Sequence, residues 1–377
     1  MTPPPRHVLM TADAVGGVWV FATTLARRLC RAGDRVTLAV MGPTPSPAQW
    51  AEIADVEGLS VEITNLVLEW MDPDGADEPR ALDRLARLAH RIGPDVVHLN
   101  GYREARAEWP APVVVTAHSC VGSWWRACRA TEPDEPRWRT YCDAVREGLA
   151  ACDLWTAPTE AFREEIERLY EPPTRGRVIA NAVEAEIALP SKKEPFVLAA
   201  GRLWDEAKNL AILDAIAGTS SWPIVLAGPR AINASTPERD AGSALRMLGA
   251  LSRRDLVATM RRASIYVSPA LYEPFGLSVL EAAHAGCALV LSDIPTFREL
   301  WDGAACFVEP RDPIALGAAL SRLMEDSAAR RRLQRLAAER ACRFSPDSMV
   351  SAYRTAYDSL ITRETGMAAR LPAEALA

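Results

Sequence analysis

HVLMTADAVGGVWVFATTLARRLCRAGDRVTLAVM, residues His7–Met41, is the stretch on which the fold turns. A short apolar run over His7–Ala12 leads to Gly16-Gly17 and a helical stretch from Val18 to Arg31. Gly33 stands at the C-terminal cap, and a second apolar run covers Arg35–Met41. Strand, glycine turn, helix, strand is the βαβ unit, whose strands are buried on both faces and so read as near-continuous apolar runs. Working outward, strand-length runs recur at Val96–Leu99, Pro112–Ala117, Leu154–Ala157 and Arg177–Ala180, with helical patterns at Arg80–Arg91 and Ala161–Tyr170. The rhythm breaks at Ala185–Pro195, a polar, proline-bounded stretch that reads as a linker. It then restarts with strands expected at Phe196–Ala200, Pro223–Ala227, Ser264–Ser268 and Ala288–Leu291, and helices at Leu210–Ala217, near Arg253–Arg262 and from Gly276. Residues Ala315–Thr362 read as helical with a break at Phe344-Ser345-Pro346, and the last twelve residues as a frayed tail. The expectation is an α/β chain of two Rossmann-like domains, 1–187 and 188–345. In such sheets ligands bind beyond the C-terminal strand ends, which places the site in the cleft between the halves.

A length of 377 residues fits two to three domains, and 49% hydrophobic with 24% charged residues is the balance of a globular chain. The formal net charge of −6 argues against a nucleic-acid partner. The eight cysteines form no C-x-x-C pair and have no His at finger-like spacing, so a zinc site is not expected. Cys30, Cys287 and Cys306 lie in apolar stretches, which suits a reducing, cytoplasmic setting. The N-terminal run, cut by Asp13 and the glycine pair, does not read as a signal peptide, and no run is long enough to span a membrane. Only Lys192, Lys193 and Lys208 among 43 basic residues are lysine, which singles out Lys208 outside the linker.

Three segments carry candidate chemistry. In SPALYEPFGLSVLEAAHAG, Ser268–Gly286, Pro274 biases Glu273 toward an extended backbone, and Gly276 opens a helix whose first amides attract an anion. Glu273 and Glu281 on either side of an anion site suit a diphosphate flanked by two polyhydroxy groups; equally, Glu281 reads as an ion-pair partner and Glu273 as solvated. In AAGRLWDEAKN, Ala199–Asn209, Arg202 offers a planar fork for phosphate and Lys208 a compact charge. The plain alternative pairs both with Asp205 and Glu206. In the first half, His118 ends the VVVTAH strand toward the cleft, followed by Trp124, Trp125 and Arg126. The indoles either stack on sugar rings or pack under their loop. His98, also at a strand end, reads as structural. G-x-G-x-x-G and G-x-x-x-x-G-K-[ST] are absent, which disfavours an NAD enzyme and a P-loop ATPase.

Together these pieces resemble the family 4 retaining glycosyltransferases of the GT-B fold. The resemblance runs over GGV at Gly16–Val18, VVVTAH ending at His118, APTEAFREEI, IANAVE, the G-R-x5-K of Arg202 and Lys208, and the E-x7-E of Glu273 and Glu281. It implies a metal-independent transferase of a hexose-type sugar with no cofactor beyond a nucleotide-sugar co-substrate, UDP- or GDP-linked. Arg202 and Lys208 would hold the donor diphosphate, Glu273 the transferred sugar, Glu281 the ribose, and Phe275, Gly276, Leu277 and Ser278 the sugar and phosphates through their amides. Gly16 and Gly17 would let the first domain close over the diphosphate, and His118 would line the sugar pocket. The final helix, 346–377, would cross back to the first domain.

Ser123–Arg139 departs from the family's shared pattern where acceptors are read, so Trp124, Trp125 and Arg126 stand as acceptor-side candidates for an unidentified acceptor. With a lipid acceptor, basic surface near Arg84, Arg87 and Arg91 would meet a membrane; the same residues read equally as a solvated helix face. A sugar-nucleotide epimerase would need acid and base groups around the sugar, of which only His118 is in place. A non-catalytic nucleotide-sugar sensor would have no need of the intact Arg202, Lys208, Glu273 and Glu281. The oligomeric state is not legible.

Overall fold

The computed structural model describes residues 5–184, 192–229 and 245–368, with backbone alone for 363–368. Most of the expected linker (185–191) and most of the expected frayed tail (369–377) lie outside the described residues. The chain forms two units: Met1–Ser123, Glu132–Asn181 and Pro346–Ala377 in the first, Trp124–Thr131 and Ala182–Ser345 in the second.

Among its described residues the first unit has seven strands: β1 His7–Asp13, β2 Arg35–Met41, β3 Leu59–Ile63, β4 Val96–Leu99, β5 Val113–Thr116, β6 Leu154–Ala157 and β7 Arg177–Val178. All pair in parallel in the order β3-β2-β1-β4-β5-β6-β7, with Val8 of β1 opposite Val36 of β2 and Val96 of β4. This is the Rossmann strand order with one edge strand added. The long helix Pro346–Ala368 belongs to this unit and buries Met349, Tyr353, Tyr357 and Leu360. It reaches the sheet through polar side chains. His98 of β4 is fully buried and hydrogen-bonds the Tyr357 hydroxyl at 2.6 Å through Nδ1 and Thr116 Oγ1 at 2.7 Å through Nε2. The Tyr353 hydroxyl lies 3.1 Å from Thr116 Oγ1 and 3.2 Å from Thr156 Oγ1. Arg6 donates to the Arg354 carbonyl at 3.2 Å, and Arg354 Nε stands 3.2 Å from the buried carboxylate of Asp34.

Among its described residues the second unit has six parallel strands: β8 Glu194–Ala200, β9 Ile224–Ala227, β10 Leu245–Met247, β11 Ala263–Ser268, β12 Ala288–Ser292 and β13 Ala305–Val308. Their order is β10-β9-β8-β11-β12-β13, again the Rossmann order. Val197, Ile224, Leu226, Ile265, Val267 and Val290 form the middle of its core. The chain builds out to one side of β8 through β9 and β10 and to the other through β11, so the loops after β8 and β11 flank the switch point.

Local differences from the sequence reading have local causes. The helix expected at Leu210–Ala217 is a 3-10 turn over Leu210–Leu213, preceded by the left-handed Asn209 (φ 50°) and followed by one α-turn, Asp214–Ala217. The helical region after residue 312 is broken a second time at Asp326, whose carboxylate caps Ser327–Ala341 by accepting from the amides of Ala328 and Ala329 at 2.9 Å. Among the described residues no helix is long and apolar enough to cross a membrane.

Candidate active site

Two loops of the second unit carry the chemistry. At the end of β8, Gly201 donates to the Ala227 carbonyl at 3.0 Å, and the chain end of β9 passes so close that a Cβ on Gly228 would lie 1.7 Å from the Gly201 carbonyl oxygen. Only glycine fits there. The loop then turns on Asp205, which caps the 3-10 turn Glu206–Lys208 by accepting from the Ala207 amide at 3.0 Å. Asn209 closes the turn, and its side-chain amide donates to the carbonyls of Pro269 (2.9 Å) and Pro310 (2.7 Å). Leu271 donates to the Ala207 carbonyl at 2.8 Å, so the loops after β8 and β11 are tied backbone to backbone.

Beyond β11, the Thr296 hydroxyl donates to the Glu273 carbonyl at 2.6 Å and holds that residue's backbone. Gly276 follows in the left-handed region (φ 87°) as N-cap of the helix Leu277–His284. The first amides of any helix lack intrahelical acceptors, so Leu277 and Ser278 present donors here. The Phe275 ring is buried edge-on against Phe344 at 5.6 Å, which leaves only its backbone for a ligand.

The site residues meet as ion pairs. Lys208 Nζ lies 2.5 Å from Glu273 Oε2, both side chains being largely buried. Arg202 reaches Asp205 Oδ2 through Nη2 (2.6 Å) and Nε (3.1 Å), with its guanidinium over the Trp204 ring. Burial opposes ionisation of Asp205, but Arg202, nearby Lys208 and a hydrogen bond from Trp124 outweigh it and hold its carboxyl below the ordinary range. Glu281, in the second turn of its helix, accepts from Arg253 Nε at 2.8 Å, while Arg253 Nη2 donates to the Glu184 carbonyl at 3.1 Å. Behind them Tyr266, fully buried, donates to the Ala200 carbonyl at 3.3 Å and hydrogen-bonds Ser278; burial first, then Glu273 and Glu281, push its phenol up.

Arg202, Lys208, Glu273, Phe275, Gly276, Leu277, Ser278 and Glu281 therefore all lie in the second unit. Trp124, Trp125 and Arg126 sit on the helix Val121–Arg129 and fall in that unit too, although sequence order put them in the first half. Gly16, Gly17 and His118 lie in the first unit. Gly16 caps the helix Gly17–Arg31 at the end of β1. His118 places Nε2 2.8 Å from Asn100 Oδ1 and packs edge-on against Phe21; burial lowers its pKa to about 3, so it is a neutral imidazole with its proton on Nε2. Sequence reading missed Arg253, Asn209 and Tyr266 as site members. Asp205 was legible only as a surface partner, through its i,i+3 spacing to Arg202. Arg253 carries no local signal, since its partner is 28 residues away.

Two sheets of Rossmann order, with charged loops at the switch point of the second, define the GT-B class of transferases. Residues 15–187 match the model of Glycosyltransferase Family 4, and residues 180–340 match Glycosyl transferases group 1; the chain belongs to these glycosyltransferases. The D-inositol 3-phosphate glycosyltransferase of Acidothermus cellulolyticus is 27% identical over 97% of this chain and 91% of its own length. A glycogen synthase of Mycobacterium tuberculosis is 42% identical, but only over 26% of this chain and 24% of that protein. Among solved structures, HepE of Anabaena in complex with UDP and glucose aligns with a TM-score of 0.73 at 15% identity, over 94% of this chain and all of that one.

Proposed function

We propose that the protein is a cytoplasmic, metal-independent, retaining glycosyltransferase that moves a hexose-type sugar from a UDP- or GDP-sugar to an acceptor not yet identified. The observation that carries this reading is the grouping of Arg202, Lys208, Glu273 and the Leu277–His284 helix start on two hydrogen-bonded loops at the switch point of the second sheet. The HepE complex with UDP and glucose supports the donor class, and the names of the inositol phosphate glycosyltransferase and glycogen synthase relatives support glycosyl transfer.

In this reading Arg202, Lys208 and the helix amides hold the diphosphate and offset the charge that builds on it as the sugar leaves. Charge fixed in place before the reaction begins lowers such a barrier more than any other single effect, because nothing has to reorganise as the leaving group develops. Glu273 accepts from sugar hydroxyls and Glu281 from the ribose. The acceptor hydroxyl bonds to the anomeric carbon on the face from which the nucleotide departs; the carbon–phosphate oxygen bond breaks, and the departing phosphate takes the hydroxyl proton. No side-chain base is required in this step.

A thermal-shift screen of nucleotide sugars tests the donor. A true donor at 100 times its dissociation constant stabilises the fold by about 2.7 kcal/mol. Transfer of labelled sugar into extract acceptors should persist in chelator and vanish in Lys208→Ala and Glu273→Ala, each of which should still fold by circular dichroism with a lowered melting temperature. Near-normal turnover in either variant, or no shift with any nucleotide sugar, overturns the proposal.

A further inference from the structure

The segment Trp124–Thr131 lies in sequence between stretches of the first unit and is fastened to the loop that carries Arg202 and Lys208. Four kinds of contact hold it there. Trp124 Nε1 donates to Asp205 Oδ1 at 3.2 Å. Arg129 pairs with Glu206 at 3.3 Å while its guanidinium covers the rings of Trp124 and Trp125 at 5.2 and 4.3 Å. Cys128, Ala207 and Leu271 form an apolar cluster, with Trp124 and Tyr272 packed against it. Arg311 donates to the Cys128 carbonyl at 2.7 Å and the Ala127 carbonyl at 3.3 Å, closing the end of the helix Val121–Arg129.

The carboxylate of Asp205 is where these contacts converge on the diphosphate-binding groups. One oxygen takes both Arg202 bonds; the other takes the Ala207 amide, which starts the turn bearing Lys208, and the Trp124 indole. Asp205 is 8% exposed, so none of these bonds has water as a ready substitute. We infer that Trp124 and Asp205 are positioning residues for the donor diphosphate. Trp124 fixes the Asp205 carboxylate, and Asp205 in turn fixes the direction of Arg202 and the turn of Lys208. The segment thus serves the donor loop through Trp124 rather than reading the acceptor with that ring. This rests on the diphosphate-binding role proposed above for Arg202 and Lys208.

Titration calorimetry with UDP and GDP, on the full chain, tests it. Trp124→Phe keeps an aromatic ring but removes the indole N–H together with the smaller ring that carries it; Asp205→Asn keeps the shape and removes the charge. With the nucleotide that binds, each should weaken the diphosphate about 5- to 20-fold, and the double variant should weaken it by much less than the product of the two. The corresponding monophosphate, which lacks the outer phosphate, should lose several-fold less, a difference that a merely structural contact would not produce. Wild-type affinity in both variants overturns the inference, as does equal loss for the mono- and diphosphate or a rise in acceptor KM with donor affinity unchanged. Lys208→Ala separates the two levels. If it weakens the diphosphate while Trp124→Phe and Asp205→Asn do not, only the positioning role falls. If it does not, or if neither diphosphate binds the wild type, the diphosphate reading falls and this inference with it.

Discussion

Single residues set the geometry of this site through charge and backbone conformation. Glu281 is held by Arg253 at 2.8 Å, a partner that fixes the carboxylate's place without exhausting its acceptor capacity. Glu281→Ala should lower affinity for the nucleoside diphosphate about 10-fold, or about 1.4 kcal/mol, by calorimetry; unchanged affinity would remove its ribose role. Gly276 is left-handed, and a Cβ there would lie 3.0 Å from the Phe297 ring and 3.3 Å from Glu273 Cγ. Gly276→Ala should cost about 1–2 kcal/mol of stability in urea unfolding and disturb Glu273 at the same time. At this scale the sequence was informative about residue types. Arg202, Lys208, Glu273 and Glu281 stood out by chemistry and spacing, and Asp205 as a partner of Arg202 three residues on, but the Lys208–Glu273 and Arg253–Glu281 pairs did not, because they join loops remote in the chain.

Elements matter here through what joins them. Asn209 ends one turn in a left-handed conformation and bonds two other loops through Pro269 and Pro310. Asn209→Ala should therefore cost about 2–3 kcal/mol, from two lost hydrogen bonds and backbone strain. Asn209→Gly, which relieves the strain alone, should cost less; equal losses in the melting curves would show that the strain counts for little. Most strands of the central sheets were legible from continuous apolar runs, since burial on both faces leaves no alternation to misread. The helix Val121–Arg129 was legible only as a loop or short helix, and the short 3-10 turns were not. Its partners are supplied by Asp205, Glu206 and Arg311, far off in sequence.

For the molecule as a whole, the first unit depends on the far end of the chain. Met349, Tyr353, Tyr357 and Leu360 are buried on it, each contributing about 1.5–3 kcal/mol. Their sum rivals the whole stability of a domain. Truncation after Ser345 should leave the first unit unfolded, as read by loss of amide protection in hydrogen exchange over β1, β4 and β5. Acid should act through the same contact. Burial first, then neighbouring His118, lowers the pKa of His98 to about 3, against about 6.5 in an unfolded chain. Below pH 6.5 the unfolded state takes up a proton that the folded imidazole refuses, so stability is full above 6.5 and falls as the pH drops toward 3. Each such histidine should cost about 1.4 kcal/mol per pH unit over that window. Urea midpoints at pH 7, 6 and 5 should decline, and less steeply in His98→Gln; parallel slopes would refute the assignment to His98.

The order of apolar runs, glycine turns and helices determined by itself that this chain would form two parallel-sheet units of Rossmann type, because such strands must be buried on both faces whatever surrounds them. Residue chemistry likewise marked the cations and carboxylates of the second unit. Only the tertiary structure decided that Lys208 holds Glu273, that Arg253 belongs with Glu281, and that Trp124 falls in the second unit with its indole on Asp205. Those outcomes depend on distances between loops that backbone folding alone brings together, and no local pattern encodes them.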